Sequence, residues 1–411
     1  MNISASACPL HKLCATGKLK QFSERHRSVQ EYTPFLEKVE YVAYSRLTFL
    51  LCAIALFCHK IIDRKTEYDF APPMESEGAL LANEKFEGSS CFIFRYQQKM
   101  TGQVVIITGA NTGIGKQVAS DFAGRDAKVI MACRNLVKCE RARNEIIKKT
   151  FNKYVYCRQC DLASQESIRK FVKQFKREHE KLHILVNNAG IMRCPLSYTK
   201  EGVEMQLGVN YLGTFLLTNL LLDVLKDSAP SKIITLTGPV HRHGKINTKD
   251  FNSAEKYDAG KAYAQSKLAV TIFTRELAER LKGTGVTVNA VYPGLVNTEL
   301  GRHMPYYNNY FARLFAKPFL WLFLKPPVLG AQPVIHAALS SDLQDITGAY
   351  ISNYEVSHMS DDAKDPKLGR WVWAVGEKWT KLNAPPVPQT KPKSEQNVTL
   401  SQVNVPTVAV S

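Results

Sequence analysis

A tyrosine and a lysine four positions apart, Tyr263 and Lys267 in AYAQSKLAVTIFTREL, have the types and spacing to do chemistry. Residues at i and i+4 share one face of a helix, so the phenol and the ammonium can address a single substrate. A phenol titrating at about 10 exchanges protons poorly at neutral pH, and a cation beside it stabilises the phenolate and lowers that value. The pair is a candidate general acid–base for moving a proton on or off an oxygen. A second group lies upstream in TGANTGIGK, Thr108 to Lys116. Gly109, Gly113 and Gly115 let the backbone turn tightly, and Asn111, Thr112 and Ile114 carry it into a helical pattern. A helix N-terminus opened in this way attracts a pyrophosphate through its free N–H groups. The cluster follows an apolar strand candidate and precedes that helix, the context that gives a glycine run meaning.

Further strand ends extend this constellation. MACRN places Arg134, with no acid at 132–135, where the adenosine ribose of a dinucleotide lies in sheets of this kind. An acid there would bind a 2′-hydroxyl and a base suits a 2′-phosphate, so NADP(H) is expected over NAD(H). CDLAS closes another strand with Asp161 and Leu162, where the carboxylate can accept from an adenine amino group. NNAG brings the small units Asn188, Ala189 and Gly190 against the cofactor. The strand in KIITLTGPVHRHG stops on Thr237-Gly238-Pro239, where such a site wants a hydroxyl. His241 and His243 follow it, and a solvated or structural role is the reading preferred for loop histidines over proton donation.

The elements that must position these residues alternate regularly. Apolar strand candidates fall at 104–108, 128–132, 154–158, 182–186, 232–236 and 286–291, with long helical patterns near 136–150, 165–179, 203–226 and 259–282. Strands alternating with helices argue for a parallel sheet covered on both faces, and right-handed crossovers make it doubly wound. The expected fold class is therefore α/β, a Rossmann-type doubly wound parallel sheet in a single catalytic domain.

With TGxxxGxG at 108–115, NNAG at 187–190 and YxxxK at 263–267, residues 101–382 resemble the short-chain dehydrogenase/reductase family. Strings such as VIITGANTGIGK, NNAGIMRCP, YAQSKLA and NTELGRH are similar to its retinol dehydrogenase branch. The resemblance implies Tyr263 as the acid–base and Lys267 as its partner and ribose clamp. It implies that Asn210 holds a helix kink and a water leading to Lys267. Pro293 and Gly294 would shape the loop at the nicotinamide, whose ring or carboxamide Val296 and Thr298 would contact. The implied substrate is a hydrophobic aldehyde, ketone or alcohol, retinal/retinol or a similar lipid-like carbonyl compound. In that branch the strand ends in Ser-Ser, and the second serine, 25 residues before the tyrosine, hydrogen-bonds the substrate oxygen. Here that substrate position holds Gly238 and the first holds Thr237. Adjacent strand residues point to opposite faces, so Thr237 could supply the hydroxyl only through a local bend. A catalytically impaired, membrane-tethered NADP(H)-binding regulator is the competing expectation.

The rest of the chain bounds the setting. Of the formal charge of +17, residues 101–382 carry +14, which suits a phosphorylated cofactor or anionic lipid headgroups. No aromatic-basic motif or zinc finger supports nucleic acid. Cys157-x-x-Cys160 has no second pair to complete a zinc site, so no metal is expected, and the ten cysteines read as reduced thiols. Residues 1–40 are polar, and 41–62 enclose the uncharged run LTFLLCAIALFC, Leu47 to Cys58. With Arg46 and Lys60 snorkelling, this window approaches the ~20 residues of a single-pass transmembrane anchor. A buried helix or a secretory signal core is the alternative, and some forty preceding polar residues disfavour a cleaved signal. Residues 63–100 read as a linker, and the Pro-rich 383–411 as a disordered tail. YFARLFAKPFLWLFLKPP, Tyr310 to Pro327, suits either a helix in a membrane interface or a lid or homodimer contact. A membrane location, endoplasmic reticulum or mitochondrial, follows from the anchor and the resemblance.

Overall fold

The computed structural model describes residues 79–82, 93–304 and 324–382, all within the compact unit Ser76–Ser411. Strands β1 (Ala79–Ala82) and β2 (Ile93–Tyr96) form an antiparallel pair, and Met100 is fully buried. Within the stretch 63–100 read as a linker, these short strands form and Met100 enters the core.

Six parallel strands follow: β3 (Val104–Thr108), β4 (Lys128–Cys133), β5 (Val155–Gln159), β6 (Ile184–Asn187), β7 (Ser231–Leu236) and β8 (Val286–Tyr292). β9 (Tyr350–Ser352) continues the sheet in parallel, and β10 (Glu355–Ser357) closes it antiparallel. The order is β10-β9-β8-β7-β6-β3-β4-β5. Strand order reverses between β3 and β6, and ligands of open α/β sheets bind in the crevice at such a switch point.

The helices that matter for the site are α1 (Gly113–Gly124), α2 (Leu136–Thr150), α3 (Gln165–Glu178), α4 (Ala259–Arg280), α5 (Pro327–Leu339) and α6 (Pro366–Thr380). Successive residues of β3 alternate between two cores. Ile106 joins Ile130, Leu185, Phe215 and Phe273 on one face. Val105 and Ile107 join Val118, Phe122, Val334 and Ile335 on the other. Each fully buried aliphatic or aromatic side chain contributes about 1.5–3 kcal/mol, so a strand apolar on both faces is held rigidly at its C-terminal end.

The helical stretch expected near 203–226 is interrupted. Gly208–Gly213 is a π-helical segment between Met205–Leu207 and Thr214–Leu220, and Leu222–Lys226 follows. Such bulges re-aim side chains locally, and this one contains Asn210. Among the described residues no helix is long and apolar enough to cross a membrane. The candidate anchor 41–62, the segment 1–40, the tail 383–411 and residues 310–323 of the aromatic stretch lie outside the described residues.

Candidate active site

The glycine turn joins β3 to α1 at the switch point. A β-carbon on Gly115 would lie 2.5 Å from Asn188 Nδ2 and 2.7 Å from the Gly109 carbonyl oxygen. Only glycine lets the loop close on itself there. Asn188 Nδ2 donates to the Thr108 carbonyl at 2.7 Å, and the Thr108 hydroxyl accepts from the Asn188 and Ala189 N–H groups, both at 2.9 Å. Thr108, the first residue of the TGxxxGxG motif, thus ties NNAG to the glycine turn.

The cradle fits a dinucleotide. Asn135, Ser164 and Asp258 cap α2, α3 and α4 with their side chains, whereas Thr112 makes no side-chain bond to the N-terminus of α1. Those N–H groups are open to an anion in a turn that contains Asn111, Thr112 and Ile114, all half-buried. Arg134 is exposed immediately beyond β4. Asp161 is half-buried after β5, and one of its carboxylate oxygens accepts from Ala163 N–H at 3.0 Å. Leu162 is buried and packs where Gly213 has no side chain.

The loop after β8 reaches the same turn. Pro293 is buried and Gly294 has φ +88°. A β-carbon on Gly113 would lie 3.1 Å from Thr298 Cγ2, and one on Gly330 of α5 would crowd Val296 at 2.5 Å and Ile114 at 3.2 Å. Val296 therefore packs between α1 and α5, and Thr298 stands beside the glycine turn.

On α4, Lys267 is buried and its Nζ donates to the carbonyl of Leu236, the last residue of β7, at 2.9 Å. Burial lowers its pKa to about 8. Tyr263, one turn earlier, is half-buried. In the free chain burial, with a smaller contribution from Tyr292, pushes its phenol up to about 12. The Asn210 side chain bonds both backbone groups of Ile191 at 2.9 Å and donates to Ser266 Oγ at 2.9 Å. Ser266 in turn donates to the Tyr263 carbonyl at 2.8 Å. Ser266, which the motif reading passed over, links the π segment to the turn carrying both candidate groups.

The strand end behaves differently from one expectation. The Thr237 hydroxyl is buried, shares a hydrogen bond with Thr271 Oγ1 at 2.9 Å and lies 3.5 Å from the Lys267 carbonyl. Gly238 is fully extended at φ −162° and ψ 169°. The bend that would turn Thr237 toward a substrate is absent, and its hydroxyl is engaged with the interior of α4. His241 is buried, with Nδ1 2.7 Å from the Gly238 carbonyl oxygen, and His243 is exposed. Both fit the structural and solvated reading.

A glycine turn at a switch point with a Tyr–Lys pair under the neighbouring strand end is the architecture of a nicotinamide-dependent oxidoreductase. The family model for short chain dehydrogenases matches residues 103–306. Retinol dehydrogenase 13 of Mus musculus is 47% identical over 297 residues, covering 72% of this chain and 88% of its own length. Retinol dehydrogenase 13 of Homo sapiens is 45% identical over 310 residues, 75% of this chain and 93% of its own. The crystal structure of an uncharacterized protein from Mycobacterium paratuberculosis aligns with a TM-score of 0.56 at 32% identity, covering 69% of this chain and 95% of that one. The chain belongs to the short-chain dehydrogenase family, in its retinol dehydrogenase branch. Its chemistry is carbonyl/alcohol oxidoreduction with a nicotinamide cofactor.

Proposed function

We propose that the chain is an NADP(H)-dependent oxidoreductase interconverting a hydrophobic aldehyde or ketone and its alcohol, with retinal/retinol or a similar lipid-like carbonyl compound as substrate. The observation that carries this reading is Lys267 buried beneath the end of β7, one turn from Tyr263, in a sheet whose glycine turn opens into an α1 that has no side-chain cap. When bound, the cofactor supplies or accepts the hydride. Gly109, Gly113, Gly115 and the N-terminus of α1 hold its pyrophosphate, and Arg134 its 2′-phosphate. Asp161 and Leu162 flank the adenine, Asn188, Ala189 and Gly190 line the crevice, and Pro293, Gly294, Val296 and Thr298 border the nicotinamide. Tyr263 keeps its proton at neutral pH and gives it to the carbonyl oxygen in reduction. Lys267 stabilises the phenolate left behind and holds the ribose. Asn210 fixes the π segment against α4.

The domain at 101–382 is read as tethered by a single span at 41–62, with 1–40 and 63–100 flanking it and 383–411 as a tail. The tether places the site beside the membrane from which an apolar substrate arrives. A second reading, a tethered NADP(H)-binding regulator without turnover, is favoured by one fact: neither Gly238 nor Thr237 offers a hydroxyl at the strand end. An assay of full-length protein in membranes with NADPH, NADH and a panel of aldehydes separates the two. Retinal-dependent consumption of NADPH in preference to NADH supports the enzyme, and tight NADPH binding with no turnover on any aldehyde supports the regulator.

A further inference from the structure

Hydride delivery to a carbonyl builds negative charge on its oxygen, and a preorganised donor to that oxygen is typically worth ~10²–10³ in rate. Tyr263 is one donor. The end of β7 supplies no second one, because Gly238 has no side chain and the Thr237 hydroxyl is bonded to Thr271. The neighbouring strand does offer a hydroxyl. β8 runs in register with β7, Leu236 opposite Val291, and Thr237 N–H donates to the Val291 carbonyl at 3.0 Å. This brings Tyr292 beside Gly238. A β-carbon on Gly238 would lie 3.8 Å from Cδ2 and 3.9 Å from Cε2 of Tyr292. The phenol ring thus flanks the space into which a side chain at 238 would project.

We propose that Tyr292 is the second hydrogen-bond donor to the substrate oxygen, acting from β8 in place of a group on β7. The inference rests on the oxidoreductase reading. Tyr292 is half-buried, and its hydroxyl bonds to no described residue. Burial raises its pKa, so it keeps the proton a donor needs. Its phenol also lies near enough to Tyr263 to add to the upward push on that group.

The test uses full-length wild type, Tyr292→Phe and the double variant Tyr292→Phe/Gly238→Ser, assayed with NADPH and retinal, with NADPH fluorescence titration as the check on folding. A 238 side chain meets only ordinary contacts, so the serine can be seated without displacing the ring. Tyr292→Phe is expected to bind NADPH normally while kcat falls ~10²–10³-fold, and the double variant to regain at least about tenfold of that loss. A kcat for Tyr292→Phe within about threefold of wild type overturns the inference alone. So does a fall that serine at 238 does not repair, since a purely structural loss would not be rescued. A wild type without turnover on retinal or any other hydrophobic aldehyde overturns both this inference and the reading beneath it.

Discussion

Gly190 stands directly over the buried machinery of α4. A β-carbon placed on it would lie 3.2 Å from Asn210 Oδ1 and 3.7 Å from Lys267 Nζ. The turn after β6, the π segment and the lysine are therefore packed as one unit, and a side chain at 190 must push the amide or the amine aside. Gly190→Val is expected to fold, since the crevice side of the residue is half-open, and to lose about 10²-fold in turnover through misplacement of the reacting groups. Steady-state kinetics beside a thermal melt checks this, and retention of full turnover contradicts the packing argument.

The glycine turn makes a second prediction. Gly115→Ala puts a methyl 2.7 Å from the Gly109 carbonyl oxygen, a backbone atom that cannot swing away. Overpacking of this kind costs about 1–3 kcal/mol, and the loop must open to relieve it. A lowered Tm together with at least tenfold weaker NADPH binding is expected in titration calorimetry, with the wild-type chain as reference.

Arg134 is the residue proposed to discriminate between the two nicotinamide dinucleotides. Hydrogen bonds to charged groups contribute about 1.5–3 kcal/mol, so Arg134→Glu should weaken NADPH binding about 10- to 100-fold and leave NADH binding equal or improved. Because Arg134 is exposed beyond β4, the substitution leaves the core intact. Equal losses for both cofactors would show that the guanidinium does not read the 2′-phosphate.

Burial of Lys267 has a thermodynamic consequence in the free chain. Its pKa is held at about 8, below the ordinary lysine value of 10.5. Between those values the unfolded chain binds a proton that the folded chain has released, so this group makes stability rise with pH across that window. Below about 8 the cost of the buried charge is present in full. Lys267→Met lacks the group, so wild-type Tm minus variant Tm should increase from about pH 7.5 to about pH 10. Paired melts across that range measure it, and a difference that stays flat or shrinks contradicts the assignment.

Much of this frame was legible in the sequence because periodicity reports burial. Val104–Thr108 and Leu136–Thr150 have the limits their apolar patterns predict. The three-residue strands Tyr350–Ser352 and Glu355–Ser357 were not legible, being too short to show a period. Nor was the π segment, since GVNYLG reads as ordinary helix until Asn210 is seen holding Ile191. What escaped notice at the site is set by partners far along the chain. Thr237 turned inward because of Thr271, 34 residues away. Tyr292 acquires a role only through the register of β8 on β7, and Ser266 only through its bond to Asn210. The upward shift of Tyr263 has the same origin, because burial is a property of the assembled pocket.

The central claim is that Tyr263 transfers the proton while the bound cofactor transfers hydride, and one comparison tests it most directly. Full-length wild type and Tyr263→Phe are incubated in membranes with NADPH and all-trans-retinal, and NADPH loss and retinol formation are followed together. The account predicts stoichiometric conversion by the wild type and a fall of at least about 10²-fold in Tyr263→Phe, with NADPH binding intact. Conversion by Tyr263→Phe at the wild-type rate would contradict it.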